Sequence, residues 1–343
     1  MREALLYENL DQKRVRCNIC NWRCRINPGK TGVCRMYLNK DGVLYSLNYA
    51  LPSSIAVDPI EKKPLNHFYP GTSVFSMGSW GCNFSCRDCQ NWQISTADGN
   101  GLPDSLQKLE PEEAVRLALG YGAQGIAWTY NEPTVWFEYT LDTAQMAKQQ
   151  GLYTVYVTNG FISKEALDLI GPHLDAWRVD VKGFSDEFYR KWSGIKNWRS
   201  ILDNTERALK QWGMHVEVVT NIVPGMNDDE GQLRGIADWI KASLGELIPW
   251  HVTRFHPYET MRDAGATPLA TLEKAVEIGK AAGLKFVYIG NVPGHRLENT
   301  FCYNCGRLII ARQGYNVEIT GLKQGHCAYC GADLNIRMAK ENV

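Results

Sequence analysis

The 343-residue sequence has no net charge: 37 Lys and Arg balance 37 Asp and Glu. Such a chain has no whole-molecule field to draw in nucleic acid or an anionic membrane surface. It also lacks any apolar run near the ~20 residues that a spanning helix needs. Its first residues, MREALLYENLDQKRVR, have no apolar stretch followed by a small-residue cleavage site, so they do not read as a signal peptide. There is no low-complexity tract and no repeat of the kind that builds solenoids. The apolar fraction of 44% and charged fraction of 22% are those of an ordinary globular protein. The expectation is a cytoplasmic chain with no membrane partner.

Cysteine, by contrast, is plentiful and clustered. Of eleven cysteines, four lie at 17–34, three at 82–89 and four at 302–330. A reducing compartment disfavours disulfides, and close spacing there points to metal rather than to scattered buried thiols. The C-terminal set, Cys302, Cys305, Cys327 and Cys330, is spaced C-x2-C-x21-C-x2-C, with Gly306 and Gly331 after the two pairs. That is a zinc-ribbon or rubredoxin-like pattern, and zinc is the expected metal, with one iron fitting the same geometry. The N-terminal set, Cys17, Cys20, Cys24 and Cys34, is spaced C-x2-C-x3-C-x9-C. It suits a structural zinc site or an auxiliary 4Fe–4S cluster serving as an electron relay, with a slight lean to zinc. Residues 1–35 hold eight Lys or Arg against three Asp or Glu. Charge balance for four thiolates accounts for this more simply than a nucleic-acid patch.

Between the flanks the sequence alternates. Seven β-rich runs, VFSMG (74–78), GIAWTY (125–130), YTVYVT (153–158), AWRVDV (176–181), HVEVVTNIV (215–223), HVTRF (251–255) and KFVYIG (285–290), are separated by helical patterns. Pro111 followed by Glu112 and Glu113 suits a first turn, and Gly151, Gly171, Gly213 and Gly283 sit where helices should end. Nearly continuous apolar strands bounded by helices predict parallel βαβ units. The pattern fits an open doubly wound sheet or a complete or partial barrel. The expected division is 1–73, an N-terminal four-Cys segment; 74–293, a β/α core; and 294–343, a ribbon domain.

The stretch GCNFSCRDC places Cys82, Cys86 and Cys89 just after the first of these strands, spaced C-x3-C-x2-C. A 4Fe–4S cube has four irons, each wanting one external donor. Three thiolates leave one iron open, and an open position separates a reactive metal site from a structural one. The alternatives are a zinc site completed by His67 or a distant cysteine, and a ferredoxin-like carrier, which needs a fourth thiolate nearby.

This motif, heading a β/α repeat, resembles the radical SAM superfamily. DPIEKKPLNHFYPG (58–71), YNEPT (130–134), TNGF (158–161), DVKG (180–183), VPGMND (223–228), YIGNVPG (288–294) and the terminal CYNCG and CAYCG extend the resemblance over nearly the whole chain. They make it similar to the pyruvate formate-lyase activating enzymes, and most similar to the radical SAM member of the AmmeMemoRadiSam system. The resemblance implies an α/β fold with a partial (β/α) barrel of six or seven parallel strands. It implies an enzyme whose 4Fe–4S cluster reductively cleaves S-adenosylmethionine to a 5′-deoxyadenosyl radical. That radical abstracts hydrogen from a protein, as activating enzymes do, or from a small molecule. An electron donor such as flavodoxin or ferredoxin is implied as partner. In one departure, Asp88 stands before the third cysteine where the superfamily usually has an aromatic residue, leaving Trp92 as the candidate for stacking on adenine.

The same resemblance assigns site residues. Glu132, with Asn131, is expected at the methionine ammonium, where a carboxylate makes a charge-assisted bond; equally, Asn131 and Pro133 suit a helix start. Thr158 and Asn159 are expected at the methionine carboxylate or ribose. Asp180 and Lys182 share a strand face and are expected near the same groups, with a structural ion pair as the plain alternative. Val223 is expected to back the adenine, with Asn227 or Asp228 capping the following helix. His256 is a candidate for ribose or substrate. A reading from another class is a non-catalytic iron–sulfur or zinc protein that binds nucleic acid or a partner through its Cys-rich ends, with strongly salt-dependent binding.

Overall fold

The computed structural model describes residues 1–258, 261 and 264–338. They fall into two compact units. The first comprises 1–58, 73–177 and 190–214, and the second 59–72, 178–189 and the described residues from 215 onward.

All seven β-rich runs form strands: β1 (Ser73–Gly78), β2 (Gly125–Trp128), β3 (Tyr153–Thr158), β4 (Ala176–Asp180), β5 (His215–Ile222), β6 (Trp250–Arg254) and β7 (Val287–Gly290). In the first unit the sheet order is the strand Ser54–Pro59, then β1, β2, β3 and the start of β4. In the second it is the end of β4, then β5, β6 and β7. β1 with β2, β2 with β3, β5 with β6 and β6 with β7 pair in parallel, for example Val74 opposite Gly125 and Trp250 opposite Val287. Every residue of β2 is buried, as a strand covered on both faces must be. This is the expected α/β class with a central parallel sheet.

Besides one helical turn at Trp92–Ser95, the α-helices are α1 (Pro111–Gly120), α2 (Phe137–Gln149), α3 (Lys164–Ile170), α4 (Asp186–Trp192), α5 (Arg199–Lys210), α6 (Glu230–Trp239) and α7 (Leu269–Ala281). Pro111 opens α1 as expected, and Ser163 caps α3 by accepting from Ala166 N. α4, seven residues long, is too short to show a clear period and was not expected. Gly151, Gly213 and Gly283 end their helices with positive φ. Gly171 does not: its φ is −50°, and a Cβ there would lie 2.6 Å from the Trp212 ring, so close packing requires glycine. The cap of α6 is Asp229, accepting from Gln232 N, rather than Asn227 or Asp228. No helix among the described residues is long and apolar enough to cross a membrane.

The Cys-rich ends are small antiparallel sheets. In the first unit Tyr7–Asn9, Val15–Cys17 and Arg25–Ile26 form one, and Arg2–Glu3, Val43–Ser46 and Tyr37–Lys40 another. In the second unit Leu308–Gln313 lies between Thr300–Phe301 and Asn316–Ile319, and Leu322–Lys323 pairs with His326–Cys327. Ile309, Ile310, Leu334 and Ile336 pack there with Phe286, Tyr288, Cys302 and Cys327.

Candidate active site

A parallel sheet aims its loops to one edge, and the loop after β1 carries Cys82, Cys86 and Cys89, all half-buried. Its backbone is held from both sides. Gly81 has φ +79°, and a Cβ on it would lie 2.6 Å from Cys34 O and from Met36 Cγ, so only glycine lets the chain pass this closely. Asn131, at the end of β2, accepts from Ser79 N at 2.9 Å and donates to Gly81 O at 2.7 Å. Asn91 in turn donates to Tyr130 O at 2.6 Å. Among the sulfurs, Phe84 N donates to Cys82 Sγ at 3.5 Å and Cys89 Sγ lies 3.4 Å from Ser95 Oγ. Asp88 is half-buried and Trp92 exposed.

Glu132 is 2% exposed and fully satisfied. Its Oε1 accepts from Thr134 N (3.1 Å), Thr134 Oγ1 (2.6 Å) and Thr158 Oγ1 (2.7 Å), and its Oε2 accepts from Asn159 N (2.7 Å). Burial pushes its pKa up while these donors pull against the rise. The carboxylate thus ties the end of β2 to the end of β3 and also caps the turn Pro133–Trp136, a role the sequence pointed to at Asn131 instead. Asn159 continues the chain: its Nδ2 donates to Asn83 Oδ1 at 2.8 Å, one residue from Cys82. The first unit therefore gathers Cys82, Cys86, Cys89, Asn131, Glu132, Thr158 and Asn159 around one set of strand ends.

In the second unit Asp180 closes β4 and meets Lys182 Nζ at 3.2 Å, the expected pair, and also Arg178 Nη1 at 2.5 Å, which the sequence reading missed. Burial alone would raise the Asp180 carboxyl, but Arg178 and then Lys182 outweigh it and hold it below the usual range. Val223 is buried, and its N–H donates to Asn227 Oδ1 at 2.7 Å. Asn227 Nδ2 donates to Lys182 O (2.6 Å) and Asn221 O (2.9 Å), fixing the strand ends of β4 and β5 against one another. His256 follows β6, is exposed, and has Asn291 O at 3.5 Å from its Nε2. His67, weighed as a zinc ligand, is buried with its Nε2 2.7 Å from Tyr288 Oη.

A second centre lies in the C-terminal ribbon. Cys302, Cys305, Cys327 and Cys330 have all four sulfurs within 4.8 Å of one another. Cys302 and Cys330 are 3.6 Å apart, and Cys305 and Cys327 3.7 Å. A tetrahedral ion with ~2.3 Å bonds to sulfur sets its ligands about 3.8 Å apart, so this cage fits a single metal ion. Gly306 N and Gly331 N donate to Cys302 O and Cys327 O at 2.9 Å, closing the two knuckles with positive φ at each glycine.

The comparisons with known proteins agree with this geometry. The profile of the radical SAM superfamily matches residues 79–240. The chain belongs to the radical SAM superfamily. It is 44% identical to the uncharacterized protein MJ0808 of Methanocaldococcus jannaschii over 338 residues, covering 98% of this chain and 99% of that one. It is 25% identical to a pyruvate formate-lyase-activating enzyme of Clostridium pasteurianum over 191 residues, covering 53% and 76%. A radical SAM methyltransferase from Sphaerobacter thermophilus shares the fold, with TM-score 0.50 and 15% identity over 70% of this chain and 71% of that one. Membership makes this protein an enzyme and implies a 4Fe–4S cluster and S-adenosylmethionine. Three half-buried thiols on a loop clamped by Asn131, with a backbone N–H aimed at Cys82 Sγ, fit such a cluster with one iron left for the cofactor.

Proposed function

We propose that Cys82, Cys86 and Cys89 hold the 4Fe–4S cluster and leave one iron to the amino and carboxylate groups of S-adenosylmethionine. On this reading the bound cluster supplies one electron to the sulfonium, and the products are methionine and a 5′-deoxyadenosyl radical. Glu132, Thr158 and Asn159 shape the methionine end, and Asn131 keeps the cluster loop in place. The resemblance assigns Asp180, Lys182, Val223 and His256 to the cofactor as well. The observation that carries the proposal is the satisfied Glu132 carboxylate, which ties the YNEPT and TNG segments together near the three thiols.

The activating-enzyme relatives favour a protein substrate that receives a glycyl radical, with a flavodoxin- or ferredoxin-type reductant and a cytoplasmic setting. Zinc is the metal proposed for the C-terminal cage, and the three-part division at 73 and 293 belongs to the same reading. The protein, reconstituted anaerobically with iron and sulfide and reduced with dithionite, is expected to convert S-adenosylmethionine to 5′-deoxyadenosine. Cys86→Ala is expected to abolish this; unchanged turnover in that variant rejects the proposal. With a deuterated candidate partner, label should appear in 5′-deoxyadenosine, and a persistent radical on the partner distinguishes a protein substrate from a small molecule.

A further inference from the structure

The four N-terminal cysteines face a common space. Cys17, Cys20, Cys24 and Cys34 line one cavity together with the apolar Ile26 and Val135. Cys17 N donates to Cys24 O at 2.9 Å, and a Cβ on Gly32 would sit 3.4 Å from Cys24 Sγ. Yet these thiols do not close up as the C-terminal ones do. Among the described residues, the C-terminal cage is the group of three or more potential ligands whose donor atoms all lie within 4.8 Å of one another. Zinc draws four sulfurs to about 3.8 Å, whereas a 4Fe–4S cube spreads its thiolates to roughly 6 Å. The Cys82 loop, tied to a cube by family membership, likewise stays outside that limit.

A second, independent observation is Asn83. It is fully buried, and its Nδ2 has no hydrogen-bond partner of ordinary geometry. Its Oδ1 is taken by Asn159 Nδ2 and lies 4.0 Å from Cys82 Sγ, while its amide is turned to the Cys20 thiol. Beyond Cys20 this buried amide has no other acceptor, so a Cys20 thiolate or a cluster sulfide would take its hydrogen bond better than a neutral thiol. The two cysteine sets also share a wall. Trp22 Nε1 donates to Asn83 O at 2.6 Å, and Gly81 rests on Cys34 O.

We propose that Cys17, Cys20, Cys24 and Cys34 bind a second 4Fe–4S cluster, not zinc, next to the Cys82 loop across Gly81 and Asn83. The lean to zinc from sequence spacing is thereby reversed. The site is independent of the proposed reaction; only its adjacency to another cluster rests on that reading.

The first test removes the Cys82 loop ligands together (Cys82→Ala, Cys86→Ala, Cys89→Ala) and reconstitutes the full chain anaerobically with iron, sulfide and zinc. About four irons and four sulfides per chain, with visible absorption bleached by dithionite, are expected. Zinc in place of that iron, or no metal beyond the ribbon's, overturns the proposal. In the otherwise native chain, Cys17→Ser with Cys20→Ser should lower iron from about eight to about four per chain and leave zinc unchanged. Loss of zinc with iron unchanged overturns it. Should that pair impair folding, Cys24→Ser, at a partly exposed thiol, is expected to alter the electron paramagnetic resonance spectrum of one cluster. Zinc loss with an unaltered spectrum again counts against the assignment. Finally, the reduced native protein should show spin–spin broadening absent from both variant spectra; simple additivity of the two would overturn the adjacency.

Discussion

A carboxylate as buried as Glu132 persists because four donors surround it. Glu132→Gln replaces one acceptor oxygen by a donor and leaves at least one of those N–H or O–H groups unpaired. The expected cost is about 1–3 kcal/mol, read by chemical denaturation of the metal-free and reconstituted protein; an unchanged midpoint contradicts the hydrogen-bond account. Gly81→Ala is a sharper probe. It forces a left-handed backbone on alanine and drives a Cβ to 2.6 Å from Cys34 O, so a loss of more than about 1 kcal/mol is expected, with less iron bound on reconstitution. Iron content and stability both equal to the parent would contradict the close approach.

At this scale the sequence reveals residue types more readily than partners. Glu132 reads as a functional carboxylate because of its neighbours Asn131 and Pro133, but its ligands Thr158 and Asn159 come from the next strand end, out of reach of local pattern. Asn131 reads as a cofactor or cap residue, whereas its side chain is committed to the backbone of the cysteine loop. The grip of Asn227 on Lys182 O and Asn221 O is equally invisible, since a backbone carbonyl leaves no mark on composition.

Strand β5 carries His215 and Glu217 on one face, and Glu217 is the hub of a buried network in the second unit. It accepts from Asn66 N (3.0 Å), His67 N (2.8 Å), His215 Nε2 (3.0 Å) and His251 Nε2 (2.6 Å). His67 reaches Tyr288, and Arg312 donates to Asn66 O (2.8 Å) and Thr300 Oγ1 (2.8 Å). Burial alone would raise the Glu217 carboxyl, but the hydrogen bonds from His215 and His251 hold it well below the usual range. Burial pushes His67 down to about 3 and lowers His251. The unfolded chain therefore takes up histidine protons near pH 6.5 that the folded one refuses, so stability falls as pH drops below about 6.5. The depressed Glu217 adds stability above the ordinary carboxylate range and loses it only in stronger acid, so between pH 7.5 and 5.0 the histidines set the trend. Melting temperatures at pH 7.5, 6.0 and 5.0 should decrease in that order; a flat or rising series contradicts the assignment.

Elements were legible where the pattern was strong. Apolar runs marked all seven strands, and Pro111 and three of the four named glycines marked helix limits. α4 was not legible, because its buried Phe188, Tyr189 and Trp192 span barely two turns, too short a run to fix a period. Nor did the alternation in HVEVV show that the charged position would be buried, since Glu217 depends on histidines from two other segments.

For the molecule as a whole, the cysteine spacing marked three groups of thiols but not the size of the metal group proposed for each. That information lies in how far the folded backbone holds the sulfurs apart. The C-terminal cage should behave as a single-ion site that supports its small sheet: Cys327→Ser is expected to remove about one metal ion per chain and lower the melting temperature by several degrees, while the iron content stays unchanged. Loss of iron instead would contradict its assignment as separate from the clusters. The central claim, however, is the open iron at the Cys82 loop. Its most direct test is the low-temperature electron paramagnetic resonance spectrum of the dithionite-reduced protein with and without S-adenosylmethionine. A cofactor-dependent change in the cluster signal, absent from Cys86→Ala, is the expected result; the same spectrum with and without cofactor would contradict it.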